Sequence, residues 1–149
     1  MAVTHLLPWL ALSAGAAIAV QAGMNARLGV VLGNTMLGTS IAFAVACLVS
    51  LLVVVLQLAR LPDFDRVGDV PNYLWLGGVI SAFGVGMFYF LIPRMGVGPM
   101  MAFALTGQII LAVICSHFGW FDQPVRPINT IRLIGLLVLI AGVSLIYWE

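Results

Sequence analysis

Apolar residues fall in five long blocks along this chain, and none alternates with polar residues in the way that would leave one wet face. Spans are expected at about residues 6–24, 35–58, 73–92, 98–118 and 131–148, each close to the roughly 20 residues an α-helix needs to cross a bilayer. The polar positions gather between the blocks. Residues 60–71 hold Arg60, Pro62, Asp63, Asp65, Arg66, Asp69 and Pro71, which reads as a solvated loop closed by helix breakers. Pro93-Arg94-Met95-Gly96 reads as a tight turn, and residues 119–130, with Pro124 and Pro127, as the last loop. Trp9, Tyr73, Trp75, Trp120, Tyr147 and Trp148 lie near the ends of blocks, where amphipathic rings favour the membrane interface. The pattern predicts an all-α membrane protein of five transmembrane helices, with residues 1–149 forming one transmembrane domain.

Composition strengthens that reading. The chain is 63% hydrophobic and 7% charged, against about 25% charged residues in a soluble domain. There is no lysine, and the cations are Arg27, Arg60, Arg66, Arg94, Arg126 and Arg132. A net charge of +1 without a basic patch gives nucleic acid no footprint. No Lys or Arg precedes Arg27, so the first block lacks the basic flank of a signal peptide and is read as a span. Cys47 and Cys115 lie singly inside apolar blocks and read as small packing residues, with neither metal-ligand spacing nor a disulfide framework. Walker, Ser/His/Asp and metal-cluster patterns are missing as well, so neither enzymatic chemistry nor a cofactor is expected.

Two further patterns bear on assembly and binding. Small residues recur every four positions as Ala11-Gly15-Ala19-Gly23, Ala42-Ala46-Ser50 and Gly78-Ala82-Gly86. Helices in lipid associate through such close-packing stripes, because lipid tails are as apolar as leucine. Polar residues inside spans are costly and mark candidate sites. Gln21 and Asn25, four apart, share one helical face, with Arg27 and Asn34 following in the connection. Gln108 lies near the middle of the fourth span, and His117 closes it. For each amide the competing reading is helix-to-helix glue, and for His117 an interfacial histidine. No Asp or Glu falls inside any span, so a cation would find no counter-charge there.

The run Gln21-Ala-Gly-Met-Asn25-Ala-Arg-Leu-Gly29, then Trp75-Leu-Gly77-Gly78, Gly107-Gln108, His117-Phe118-Gly119, and Arg132-Leu-Ile-Gly135 with Gly142 resembles the YdcZ-like family of small bacterial membrane proteins. That family belongs to the drug/metabolite transporter superfamily, and the resemblance covers nearly the whole chain. It implies a five-helix unit in the bacterial inner membrane, an export role, and assembly as an antiparallel pair of identical or related chains. It names no ligand. The family pattern has an aspartate before His-Phe-Gly, where this chain has Ser116.

The expected function is therefore transport of a small molecule by alternating access in an antiparallel dimer. Gln21, Asn25 and Gln108 would line the site, with Arg27 and Arg94 nearer the mouth. Amides and arginines suit a neutral, zwitterionic or anionic metabolite. His117 is the one candidate for proton coupling, since histidine is the side chain that titrates near neutral pH. A non-transporting scaffold subunit and a passive facilitator or channel are the alternatives. Arg60, Arg66 and Arg126, with Arg132, share one membrane side, against Arg27 and Arg94 on the other. This small bias favours a cytoplasmic N-terminus and permits insertion in both orientations. The expected partners are the bilayer, a second inverted copy and the small-molecule substrate.

Overall fold

Pro8 stands in the first turn of the first helix, where the missing N–H would have had no partner in any case. From there the backbone is helical almost without interruption in a computed structural model that describes residues 5–56 and 64–148, with side chains from 67 onwards in the second stretch. The helices are α1 (Leu7–Val31), α2 (Thr35–Leu56), α3 (Leu76–Met95), α4 (Val97–Phe118) and α5 (Thr130–Tyr147). Three short 3-10 turns, Phe64–Asp69, Asn72–Trp75 and Trp120–Asp122, complete the described elements, and no strand occurs among the described residues. All five helices are long and apolar enough to cross a membrane. Large side chains such as Leu48, Val79 and Ile131 stay open on the chain's surface, an arrangement that lipid tolerates and water would not. Arg60, Pro62 and Asp63, the end of the second span at Leu58, and the side chains of Asp65 and Arg66 lie outside the described residues, as does Glu149.

Two boundaries differ from the sequence reading. Helix α1 runs past Met24 to Val31, so Arg27 stands inside the helix rather than in a connection. Its roughly 37 Å exceed the roughly 30 Å hydrocarbon core, which lets the last turns emerge into the headgroups. Polarity at Gln21, Asn25 and Arg27 suggested an end, but a helix satisfies its own backbone and carries such residues at modest cost near an interface. Pro93, Arg94 and Met95 likewise belong to α3 and not to a turn. The break falls at Gly96, whose φ of +87° only glycine adopts freely.

The chain forms two compact units, residues 1–94 and 95–149. In the first, α1 and α2 are joined by Leu32, Gly33 and Asn34 alone. Gly33 reverses the backbone at φ +66°, and Asn34 caps α2 by accepting the Leu37 N–H on its Oδ1 at 3.0 Å. So short a connection presses the two helices together at Gly29 and Gly38. A Cβ on Gly38 would lie 2.8 Å from the Gly29 Cα and 2.9 Å from its N. Ala22, Ala26 and Gly29 form the buried face of α1, displaced from the Ala11-Gly15-Ala19-Gly23 stripe, whose Gly15 meets nothing within 4 Å. Helix α3 docks through Gly86, against the Met36 side chain and Thr39 Oγ1, and through Tyr89. In the second unit α4 packs on α5. The α4 end is marked by Gly119 in the left-handed region, and the α5 start by Asn129, whose side chain accepts the Arg132 N–H.

The glycine contacts give a paired expectation. Gly38→Ala puts a methyl against backbone and should destabilise the protein by about 1–3 kcal/mol. Gly15→Ala enters open space and should be neutral, or more stable by up to about 1 kcal/mol. Thermal unfolding in detergent measures both. Equal melting temperatures for the two variants would contradict the close crossing.

Candidate functional site

Residues four apart on a helix stack on one face, and on α1 this brings the side chains of Gln21 and Asn25 into contact. Asn25 Nδ2 donates to Gln21 Oε1 at 2.8 Å and to Tyr89 Oη of α3 at 2.9 Å. The Tyr89 hydroxyl in turn donates to Gln21 Oε1 at 3.1 Å. The triangle is consistent proton by proton: Asn25 spends both amide hydrogens, Tyr89 spends its one, and Gln21 Oε1 accepts twice. Tyr89 is 3% exposed, so its hydroxyl could not have been left without a partner cheaply. The Gln21 amide nitrogen and the Asn25 carbonyl oxygen take no part in the triangle. They are the donor and the acceptor that the ring leaves unused.

Tyr89 is the member that sequence reasoning missed. It lies close to the expected end of the third span and so blends with the interfacial aromatics. The helix continues to Met95, which leaves Tyr89 deeper, where a hydroxyl in an apolar run has to find a protein partner.

The other candidate residues are distributed differently. Arg27 lies about 200° around the helix from Asn25 and is exposed, so it does not join the Gln21–Asn25 face. Arg94 sits in the last turn of α3, where a cation complements the helix dipole. Its guanidinium lies 3.5 Å over the Phe90 ring and its Nη1 donates to the Phe90 carbonyl. It also lines a crevice of about 350 Å³ with Gly29, Gly33, Asn34 and Pro93, beside the α1–α2 turn.

Gln108 and His117 belong to the second unit. Gln108 is exposed on α4, two residues on from Thr106, whose hydroxyl bonds back to the Ala102 carbonyl at 2.8 Å. His117 is half-buried, and its Nδ1 accepts the Ile128 N–H at 3.1 Å. It therefore pins the far end of the loop after α4. The Arg126 N–H to Ser116 carbonyl bond, at 2.8 Å, pins the middle. Arg132 Nη1 donates to the carbonyls of Arg126 at 2.8 Å and Pro127 at 3.3 Å. This network draws the loop over the end of a groove of about 540 Å³ between α4 and α5.

Two substitutions probe these arrangements. Tyr89→Phe keeps the ring and removes one donor and one acceptor, so a loss of about 1–2 kcal/mol is expected in thermal unfolding. An unchanged melting temperature would mean that the hydroxyl is not part of a closed ring. His117→Phe removes the acceptor for Ile128, and hydrogen exchange at residues 120–129 should speed up. His117→Asn, which restores an acceptor near the Nδ1 position, should recover much of the protection.

No curated protein and no solved structure matches the chain. The model of a family described as "Putative inner membrane exporter, YdcZ" matches residues 6–145, and an exporter description points away from an enzyme. With five membrane-length helices and that match over nearly its whole length, the chain belongs to the YdcZ family and is a multi-pass inner-membrane protein.

Proposed function

We propose that the protein exports a neutral, zwitterionic or anionic small metabolite by alternating access, working as an antiparallel pair of identical chains. The Gln21–Asn25–Tyr89 ring carries this reading, because it holds a free amide donor and a free carbonyl acceptor in fixed register on a membrane helix. Transporters place substrate sites near the interface of inverted repeats. An odd number of spans lets two oppositely inserted copies supply that symmetry. Five helices make a thin wall for a gated path, and the open small-residue positions at Gly15 and Gly78 suit a second chain. Arg94, in its crevice, is the residue proposed to meet an anionic group at the mouth. Gln108 is kept as a substrate-facing amide of the second unit, and Arg27 as a charge near the entrance. If a proton drives the cycle, His117 is its carrier.

The same ring favours a second reading, a scaffold subunit in which Gln21, Asn25 and Tyr89 only hold α1 to α3. Transport separates the two. A ligand screen by thermal stabilisation of the purified protein supplies a substrate, and counterflow in proteoliposomes then measures it. Asn25→Leu and Gln21→Leu should each cut counterflow by about ten-fold or more, the equivalent of one lost hydrogen bond to the ligand. Full counterflow in both variants would remove the proposed site. Robust export of tetraphenylphosphonium would show that the substrate charge is misassigned. Cross-linking of single cysteines in membranes tests the pairing, and links only between like ends of two copies would indicate a parallel dimer.

A further inference from the structure

The groove between α4 and α5 divides sharply along its length. On α4 it is lined by Ile109, Ala112, Val113 and Ser116, and on α5 by Arg132, Gly135, Leu136 and Leu139. Both sets follow the spacing of one helical face. Its only polar lining lies at the loop end: Ser116 near the close of α4, Arg132 near the start of α5, and Arg126 from the loop between them. From Ser116 to Ile109 the helix rises about 10 Å through apolar side chains alone.

The cationic end is only partly satisfied. Arg132 spends Nη1 on two loop carbonyls, leaving Nη2 and Nε without a partner among the described residues. Arg126 has its backbone fixed by the Ser116 carbonyl, while its side chain is exposed. Asp122, the acid of this loop, does not line the groove. Two guanidinium groups at the membrane end of an apolar trough call for an anion that carries a hydrocarbon tail. A free phosphate would leave the trough unused, and a neutral lipid would leave the arginines unmatched. The volume, about 540 Å³, falls within the roughly 300–1,000 Å³ usual for ligand sites.

We infer that this groove binds an anionic phospholipid of the surrounding bilayer, with its phosphate held by Arg126 and Arg132 and one acyl chain lying along the trough towards Ile109 and Leu139. Basic pockets between membrane helices hold acidic headgroups in this way. The site is separate from the amide ring of the first unit and does not depend on what the protein transports.

Native mass spectrometry of the full chain in detergent tests it, with dioleoylphosphatidylglycerol and dioleoylphosphatidylcholine supplied equally. The wild type should retain the glycerol lipid at least about ten-fold better, and Arg126→Gln should lower that retention about five-fold. A Cβ at Gly135 meets nothing within 4 Å, so Gly135→Leu should fold, as circular dichroism would check. It should plug the trough and abolish retention of the glycerol lipid. Equal retention of both lipids by the wild type would overturn the proposal, as would retention that survives Gly135→Leu. Displacement of the lipid by inorganic phosphate would reduce the site to a headgroup patch. If Gly135→Leu splits a dimer while lipid retention holds, a second copy occupies the groove instead.

Discussion

A bilayer core supplies no water to a polar group, so a polar side chain placed there gains by pairing with another. The Gln21–Asn25–Tyr89 ring is the consequence of that constraint. Three polar side chains from two helices close on one another, and the closure fixes how α3 lies against α1. Apolar burial between helices offers little drive in lipid, so a few polar bonds and close backbone contacts do the work that a hydrophobic core does in water. The small number of buried side chains in each span fits this division of labour.

Close contact depends on two glycines placed by a three-residue turn. Gly33 reverses the chain and Asn34 restarts it as α2. Gly29 and Gly38 then face each other with no room for a side chain. This crossing holds α1 and α2 together one turn beyond Asn25, and Thr39 and Met36 of α2 meet Gly86 of α3 nearby. The candidate ring therefore lies between two close approaches, Gly29 to Gly38 and Gly86 to Met36, which limits how far its helices can shift.

The five helices were legible because length and apolarity alone decide what can span a bilayer, and those are local properties of the sequence. Ends were less legible. Polar residues at 21, 25 and 27 suggested an end to α1, but hydrogen bonding within the helix carries it on to Val31. Pro93 suggested a turn, yet a proline in the last turn costs one backbone bond and the helix ends two residues later at Met95. Two of the three members of the amide ring could be read from the four-residue spacing of Gln21 and Asn25. Tyr89 could not, because it is 64 residues from Asn25 in sequence, and nothing local reveals which helix supplies a third partner. The buried stripe at Ala22, Ala26 and Gly29 was hidden for the same reason: small residues occupy several faces of α1, and only the short turn decides which one meets α2.

The arginines show how one residue type takes different roles according to what lies beside it. Arg94 folds back onto the ring and carbonyl of Phe90, so part of its hydrogen-bonding capacity is spent at the end of α3. Arg132 divides its donors between two loop carbonyls and the groove. Arg126 keeps its side chain free while its backbone is held. Arg27 stands on the far side of α1 from the amides, near the end of a helix long enough to reach the headgroups. None of the described spans contains an Asp or Glu. The membrane-facing charge on these helices is thus positive wherever it is described, and it lies near helix ends rather than at mid-span. Such a field attracts anions to the rims and leaves the middle of each span to neutral hydrogen bonding.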